Sequence, residues 1–212
     1  MEFRSQRQQL LQELKTAGIT SSRVLAAIET TPRERFVPKV HRAFAYDNNA
    51  LSIACGQTIS QPYIVALMSQ ALDLQGTETV LEIGTGSGYQ AAILAKLCAR
   101  VVTMERLPEL AQTAEKCLSE LGYANIEYVV GDGTLGWPEL GPYDGIIVTA
   151  AAPSVPLPLF EQLAPAGRLV IPVGDESLQQ LQLIQKTEPN PTIKTLCDCR
   201  FVKLIGEAGW KE

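Results

Sequence analysis

Val80-Leu81-Glu82-Ile83-Gly84-Thr85-Gly86-Ser87-Gly88-Tyr89 is the stretch that decides the fold. An apolar run leads directly into a glycine-rich turn, and a second apolar segment, residues 91–97, follows at once. A strand, a glycine-rich turn and a helix in this order form the ligand-binding unit of an open α/β sheet, because glycine adopts positive φ and lets a ligand approach the backbone. The stretch predicts a doubly wound, mostly parallel sheet with a ligand at the turn; a glycine-rich turn without a ligand is the alternative.

The spacing of the glycines indicates which ligand to expect. A dinucleotide site reads G-x-G-x-x-G, whereas Gly84, Gly86 and Gly88 read G-x-G-x-G, with Tyr89 in place of the last glycine of such a site. Glu82 would also repel a pyrophosphate and suits a cation. S-adenosylmethionine carries an ammonium and a sulfonium, and the pattern resembles motif I of the class I S-adenosylmethionine-dependent methyltransferases, which are Rossmann-like. We therefore expect this cofactor, and an NAD-dependent dehydrogenase is the disfavoured alternative.

A second acidic residue, Glu105, ends the next predicted strand, residues 100–105. Adjacent parallel strands end side by side, so this carboxylate should reach the same crevice as the glycine-rich turn. A carboxylate in that position accepts hydrogen bonds from ribose hydroxyls. An exposed acid that caps the helix near Pro108 is the lesser alternative.

A third strand, residues 126–130, leads into Asp132 and Gly133. Asp132 could accept a hydrogen bond from an adenine amino group, with Gly133 leaving room for the ring. From the residues alone, a simple Asx turn is the safer interpretation of Asp132. A fourth strand, residues 143–149, is nearly all apolar, as expected for a strand that is buried on both faces.

Composition indicates one globular domain outside the membrane. The chain has 212 residues, a net charge of −5 and a pI near 5.1, which argues against a large nucleic-acid footprint. No apolar run is long enough for a bilayer, and the first residues lack the apolar core of a signal peptide. Five cysteines without a C-x-x-C pair indicate reduced thiols in a cytoplasmic protein, and with a single histidine, His41, we expect no metal site.

The chain divides into three regions around the glycine-rich turn. Residues 1–75 form an N-terminal helical and acceptor-site region, with helices predicted at residues 2–17, from Thr20 or Ser21 onward, and at 62–72. Residues 76–174 form the cofactor-binding core, which ends with a short helix through Phe160 and Leu163 and a fifth strand at 167–174. Residues 175–212 contain a C-terminal β-hairpin, with strands at 178–184 and 193–205.

The polar block Gly56-Gln57-Thr58-Ile59-Ser60-Gln61-Pro62-Tyr63 is the candidate acceptor site. Pro62 favours the first turn of a helix, so Ser60 and Gln61 should lie at its N-terminus, where free N–H groups and the helix dipole attract an anion. Thr58 and Ser60 could donate hydroxyl hydrogen bonds to the same anion. A carboxylate-binding role for Ser60 and a simple helix-capping role are equally supported by these considerations.

The same block is similar to the signature of the protein-L-isoaspartate (D-aspartate) O-methyltransferases. Further motifs of that family occur in order between about residues 31 and 174: Arg33-Glu34-Arg35-Phe36-Val37-Pro38, the motif at 80–89, Gly131-Asp132-Gly133, Pro142-Tyr143-Asp144, Thr149-Ala150-Ala151-Ala152-Pro153 and Leu163-Ala164-Pro165-Ala166-Gly167-Arg168-Leu169. A weaker similarity follows at residues 201–204. Motif I is shared by many methyltransferases, whereas the block at 56–62 is far more diagnostic.

The resemblance implies methyl esterification of the α-carboxylate of L-isoaspartyl, and of D-aspartyl, residues in damaged proteins. The ester closes to a succinimide, whose hydrolysis returns some normal aspartate, and S-adenosylhomocysteine is the by-product. The resemblance assigns Ser60 to catalysis and Thr58, Ile59 and Val202 to the substrate. It assigns the following residues to the cofactor: Gln61, Pro62, Tyr63, Glu82, Gly84, Gly86, Gly88, Glu105, Arg106, Asp132 and Gly133.

Two departures from the family pattern lie near the expected peptide groove. Ala54 and Cys55 replace the residues usual before Gly56, and Lys203 stands where the family often has proline. They bear on peptide preference more than on the chemistry. We expect a monomer that binds damaged proteins and neither nucleic acid nor membrane. An RNA or small-molecule methyltransferase on the same fold and a catalytically silent cofactor-binding protein are the alternatives.

The predicted reaction needs little general acid–base catalysis. An acceptor carboxylate with a pKa of about 4 is already ionised at neutral pH, so it can attack a methyl group on a sulfonium without a general base. Catalysis should consist of alignment together with desolvation of the carboxylate beside the cation.

Overall fold

The computed structural model describes residues 3–211, which form a mostly parallel sheet with helices on both faces. The nine strands in chain order are β1 (Leu51–Ser52), β2 (Thr58–Ile59), β3 (Thr79–Ile83), β4 (Arg100–Glu105), β5 (Ile126–Val130), β6 (Tyr143–Val148), β7 (Leu163–Gly174), β8 (Gln179–Gln185) and β9 (Thr192–Cys199). The six α-helices are α1 (Arg4–Thr16), α2 (Ser22–Thr30), α3 (Pro62–Leu72), α4 (Tyr89–Ala95), α5 (Pro108–Glu120) and α6 (Leu157–Glu161).

Seven strands form the main sheet, in the order β5-β4-β3-β6-β7-β8-β9. The strands from β5 to β7 pair in parallel, whereas β8 runs antiparallel to both of its neighbours. The chain crosses from one side of β3 to the other between β5 and β6, and the carboxyl ends of the strands at such a switch point form the ligand crevice of α/β sheets. The predicted class I methyltransferase fold is confirmed.

The core lies on both faces of this sheet because successive strand residues point to opposite sides. In β3, Val80 packs with the N-terminal helices, whereas Leu81 and Ile83 pack into a second cluster on the other face. All three side chains are almost completely buried. Burial on both faces explains why the central strands read as continuous apolar runs and not as alternating ones.

The N-terminal helices form as the apolar spacing predicts. Helix α1 buries Leu10, Leu11 and Leu14, and the predicted start of this helix at Glu2 lies outside the described residues. Of the two candidate caps for α2, the structure uses Ser21, whose hydroxyl accepts a hydrogen bond from the Val24 N–H at 3.3 Å. None of the helices described is long and apolar enough to cross a membrane.

Three predicted boundaries in the last third of the chain were wrong. Strand β7 begins at Leu163 and not at residue 167, so α6 ends at Glu161, before the predicted Leu163. The last strand of the hairpin, predicted to continue to residue 205, ends at Cys199. It ends because the Phe201 N–H donates to the Gln179 side chain at 2.7 Å, which turns the chain away from β8.

Beyond that turn, residues 201–211 form a C-terminal segment that returns to the centre of the sheet. Its Lys203 forms an isolated parallel bridge with Ala151, just after β6. The Trp210 indole N–H donates to the Ala151 carbonyl at 3.0 Å, and the Glu207 N–H donates to the Asp132 carboxylate at 2.7 Å. The C-terminal segment is therefore fixed across the carboxyl ends of the central strands.

Candidate active site

A cavity of about 360 Å³ lies at the carboxyl ends of β3 and β4. Its volume is in the range of sites for small molecules and cofactors. Four parts of the chain form its walls: the turn after β3, the turn after β4, the block between β2 and α3, and the C-terminal segment. The residues that line it include Thr58, Ile59, Ser60, Gly84, Thr85, Gly86, Tyr89, Gln90, Glu105, Arg106, Gly133, Thr149, Val202, Lys203, Leu204 and Ile205.

The turn after β3 is held in a shape that only glycine tolerates easily. Gly84 has φ +94° and Gly86 has φ +52°, both in the left-handed region. A Cβ at Gly84 would collide with the hydroxyl of Thr149. That hydroxyl lies 2.7 Å from the Gly84 carbonyl oxygen and donates to it. Thr149 thus fixes the first glycine of the turn from the end of the neighbouring strand.

Glu105 faces the cavity and is also bonded to the start of α5, although it is not the exposed acid of the alternative interpretation. Its side chain is 8% exposed and lines the cavity. One carboxylate oxygen accepts from the Gly86 N–H at 2.9 Å, and the other accepts from the N–H of Leu107, the N-cap residue of α5, at 3.0 Å. The carboxylate therefore ties the glycine-rich turn to the start of α5 while facing the cavity.

Glu82 is completely buried behind the cavity wall and does not line it. Its Oε2 accepts from the Thr103 hydroxyl, and the Thr103 and Thr85 hydroxyl oxygens lie 2.6 Å apart. The second oxygen of Glu82, Oε1, has no partner among the described residues. Burial raises the pKa of Glu82 to about 8, so the side chain is protonated at neutral pH.

Asp132 makes the Asx turn that the residues alone favoured. Its Oδ1 accepts from the Thr134 N–H at 2.9 Å and from the Thr134 hydroxyl at 2.7 Å, while Oδ2 accepts from Glu207 in the C-terminal segment. Burial by itself would raise the pKa of Asp132, but the bonds from Glu207 and Thr134 hold it below its usual range. Asp132 lies outside the cavity lining, whereas Gly133 is part of it.

The acceptor block places a free hydroxyl at the cavity. Helix α3 has Gln61 as its N-cap residue, without a side-chain capping bond, so Ser60 does not cap the helix. Ser60 lines the cavity, and its hydroxyl makes no hydrogen bond to any residue in the range 3–211. Its carbonyl oxygen accepts from the Arg33 guanidinium at 2.8 Å. The Ser60 hydroxyl is thus available to a ligand while its backbone is fixed.

The structure brings nine of the predicted site residues together around the cavity: Thr58, Ile59, Ser60, Gly84, Gly86, Glu105, Arg106, Gly133 and Val202. Six others lie outside its lining: Gln61, Pro62, Tyr63, Glu82, Gly88 and Asp132. Gly88 is the N-cap residue of α4 and lies against Leu118 of α5, where a Cβ would come within 3.0 Å of the leucine. The individual roles of all these residues stay predictions.

Sequence reasoning assigned no role to several cavity residues. These residues are Thr149, Gln90, Leu204 and Ile205, which all line the cavity. Lys203, expected near the peptide groove, lines it as well. A polar residue at the end of an otherwise apolar strand next to β3 was a usable signal for Thr149. The C-terminal residues gave no such signal, because their position depends on hydrogen bonds to residues far away in the chain.

The arrangement suits a ligand with hydroxyls and a positive charge. The cavity offers the Glu105 carboxylate and the backbone of the glycine-rich turn on one side, with the free Ser60 hydroxyl on the acceptor side. Within residues 3–211 there is no group of three or more His, Cys, Asp or Glu side chains that could hold a metal ion. The Glu105 carboxylate and the open backbone of the glycine-rich turn fit the nucleoside and amino-acid parts of S-adenosylmethionine.

Comparison with known proteins gives consistent results for sequence and structure. The family model described as protein-L-isoaspartate(D-aspartate) O-methyltransferase matches residues 5–209. A protein-L-isoaspartate O-methyltransferase of Dictyoglomus thermophilum is 53% identical over 211 residues, which cover 100% of this chain and 96% of the relative. A solved structure of a protein-L-isoaspartate O-methyltransferase has a TM-score of 0.87 at 31% identity, covering 96% of this chain and 67% of that one. Another, from Plasmodium falciparum with bound S-adenosyl-L-homocysteine, has a TM-score of 0.80 at 25% identity, covering 93% and 97%.

Proposed function

Because the chain belongs to the protein-L-isoaspartate(D-aspartate) O-methyltransferase family, we propose that its cavity holds S-adenosylmethionine and that Ser60 orients the acceptor carboxylate there. The chain transfers a methyl group from this cofactor to isoaspartyl residues of damaged proteins and releases S-adenosylhomocysteine. The ester formed on the α-carboxylate closes to a succinimide, whose hydrolysis begins repair. One observation carries the proposed site: the unpaired Ser60 hydroxyl lines the same cavity as the glycine-rich turn and Glu105.

On the cofactor side, Glu105 would accept hydrogen bonds from the ribose hydroxyls. Its carboxylate has two oxygens, each of which already accepts one backbone bond and keeps a further lone pair for the ligand. Gly86 leaves its backbone open to close approach, because the nearest atom to a Cβ there would be Cδ1 of Ile53 at 3.9 Å. Gly84 and Gly133 instead allow Thr149 and Ile83 to pack closely against the backbone of the cavity wall. We also keep Arg106 and the buried Glu82 in the cofactor site, with Glu82 acting through Thr103 and Thr85.

The residues at the edge of the cofactor site would support the bound cofactor indirectly. Gln61, Pro62 and Tyr63 form the first turn of α3, which fixes the acceptor block over the cavity. Gly88 allows α4 to begin close to α5. Asp132 holds the C-terminal segment through Glu207, with Gly133 at the cavity itself.

On the acceptor side, Ser60 would donate its hydroxyl hydrogen to the carboxylate of the isoaspartyl residue. Thr58, Ile59 and Val202 would contact the peptide on either side. The bound cofactor supplies an electrophilic methyl group on a sulfonium. The acceptor is already an anion, so the chain has no proton to remove; it aligns the carboxylate and excludes water from it.

We propose that the enzyme is a monomer in the cytoplasm and that it binds neither nucleic acid nor membranes. Four segments of the chain itself form the walls of the cavity. The net charge of −5 opposes binding to phosphate backbones. The five cysteines are free thiols, which suits a reducing compartment. The division at residues 75 and 174 into acceptor, cofactor and C-terminal regions is part of the same proposal.

The function is tested with labelled S-adenosylmethionine and a pair of peptides that differ only in containing isoaspartate or aspartate. We expect label in the isoaspartyl peptide alone, in a base-labile ester. The Ser60→Ala variant tests the site, with Ser52→Ala, a β1 residue outside the cavity lining, as the matched control. Equal labelling of both peptides, or labelling of RNA in place of either, would reject the function; full activity of Ser60→Ala would reject only the role of Ser60.

A further inference from the structure

Arg33 is a fully buried arginine directly behind the acceptor block. Its Nε donates to the Ala45 carbonyl oxygen at 2.8 Å, and one terminal nitrogen, Nη2, donates to the Ser60 carbonyl oxygen at 2.8 Å. Within residues 3–211 it makes no ion pair with a carboxylate. A buried charge without an ionic partner is costly, so its retention calls for a reason other than stability.

The guanidinium also contacts the turn on the cofactor side. Its central carbon lies 4.7 Å from the ring centroid of Tyr89, the residue that follows the last glycine of the turn and lines the cavity. A cation over an aromatic face is attracted to it, most strongly where water is excluded. Tyr89 also packs edge to face with Phe36, with ring centroids 5.5 Å apart. Arg33 thus joins the Ser60 backbone to Tyr89, directly after the glycine-rich turn.

We propose that Arg33 is a positioning residue that sets Ser60, and through it the acceptor carboxylate, relative to the cofactor. The planar guanidinium fixes the Ser60–Gln61 peptide plane, and the Ser60 side chain follows that plane. The contact of the guanidinium with the Tyr89 ring fixes the Arg33 side chain relative to the cofactor side of the cavity. This proposal rests on the proposed role of Ser60 and adds a residue that touches neither ligand.

The geometry requires an arginine and not merely a positive charge. Arginine presents its donors in a rigid fork, so it holds the Ala45 and Ser60 carbonyl oxygens at once. A lysine at this position keeps the charge but has a single nitrogen at the end of a flexible stem. Arg33→Lys should therefore loosen Ser60 without removing the cation.

The experiment is a double-mutant cycle on turnover of the isoaspartyl peptide, with Arg33→Lys, Ser60→Ala and the combined variant. We expect Arg33→Lys alone to lower kcat by about tenfold to a hundredfold, the usual effect of a lost hydrogen bond to a charged group. In the Ser60→Ala background the same change should cost no more than about twofold, because it acts through Ser60. The Kd of S-adenosylhomocysteine should stay within about twofold of wild type in all four proteins.

Two further variants separate positioning from general stability. Arg33→Met removes the charge as well and should lower kcat at least as much as Arg33→Lys. Arg23 also donates to two backbone carbonyl oxygens, of Gln75 at 2.8 Å and Leu97 at 3.0 Å, but lies away from the cavity, so Arg23→Met should leave kcat unchanged. Wild-type turnover in Arg33→Lys, or equal fold losses of kcat from this change with and without Ser60, would overturn the proposal. If the wild-type protein did not methylate the isoaspartyl peptide at all, the result would count against the proposed function and not against the role of Arg33.

Discussion

The buried Glu82 should make the stability of the protein fall as the pH rises toward 8. Burial raises the pKa of this carboxyl from its ordinary value of 4.5 to about 8 in the folded state. Between these two values the unfolded chain has released the proton while the folded chain still holds it, so each further rise in pH favours the unfolded state. The stability due to the held proton is complete below the unfolded pKa and is lost by the time the pH passes the folded one.

The size of this effect follows from the linkage relation. One proton held only by the folded state changes the free energy of unfolding by about 1.36 kcal/mol per pH unit. Between pH 5.5 and 7.5, Glu82 should therefore cost the wild-type protein about 2–3 kcal/mol. Glu82→Gln keeps the shape and cannot ionise, so its free energy of unfolding should lack this contribution.

The assay is urea denaturation of wild type and Glu82→Gln at pH 5.5, 6.5 and 7.5. The informative quantity is the change with pH in the difference between the two proteins. The absolute offset at one pH also contains the cost of burying an amide where Oε1 has no partner. Titrating groups elsewhere contribute equally to both proteins and cancel. Two curves that stay parallel to within about 0.5 kcal/mol would show that Glu82 is ionised in the folded state and would refute the reasoning.

Three further predictions concern the cavity walls. Glu105→Ala should weaken binding of S-adenosylhomocysteine by about 1–3 kcal/mol in titration calorimetry, and unchanged affinity would remove Glu105 from the ribose site. Ser60→Ala should lower kcat by about tenfold to a hundredfold while cofactor affinity stays the same, and Ser60→Thr should fall in between, as initial-rate assays would show. Gly84→Ala should destabilise the protein by about 1–3 kcal/mol and weaken cofactor binding, because its φ is +94° and its Cβ meets Thr149. Gly122→Ala, with φ +80° and open space around the new Cβ, is the control for backbone strain alone, so equal cofactor binding in the two variants would contradict the steric argument.

The central sheet could be predicted from the sequence because its signals are local. Residues 100–105 and 126–130 are β4 and β5 with the predicted bounds: β4 is a mostly apolar run that ends at Glu105, and β5 ends directly before Gly131 and Asp132. The glycine-rich turn and Glu105 could be placed at one edge because parallel neighbours end together. The residues within and next to each of these elements were sufficient to predict it.

The rest depends on contacts between residues far apart in the chain. The end of β9 is set by the side chain of Gln179, some twenty residues earlier, and the path of the C-terminal segment is set by bonds to Asp132 and Ala151. Nothing in the residues around Arg33 shows that its guanidinium reaches Ser60. A sequence pattern indicates which residues are polar, but it does not indicate which distant residue each of them bonds to.

The position of the C-terminal segment has a consequence for how new specificities could be obtained by recombination. The acceptor side of the cavity is built from sequence that precedes the cofactor-binding core, and another wall from sequence that follows it. A chimera that exchanges only the first part would join a foreign acceptor block to a wall shaped for another peptide. Because Asp132 and Ala151 of the core hold that wall in place, a functional hybrid would have to inherit both flanks from one parent, together with these two docking points.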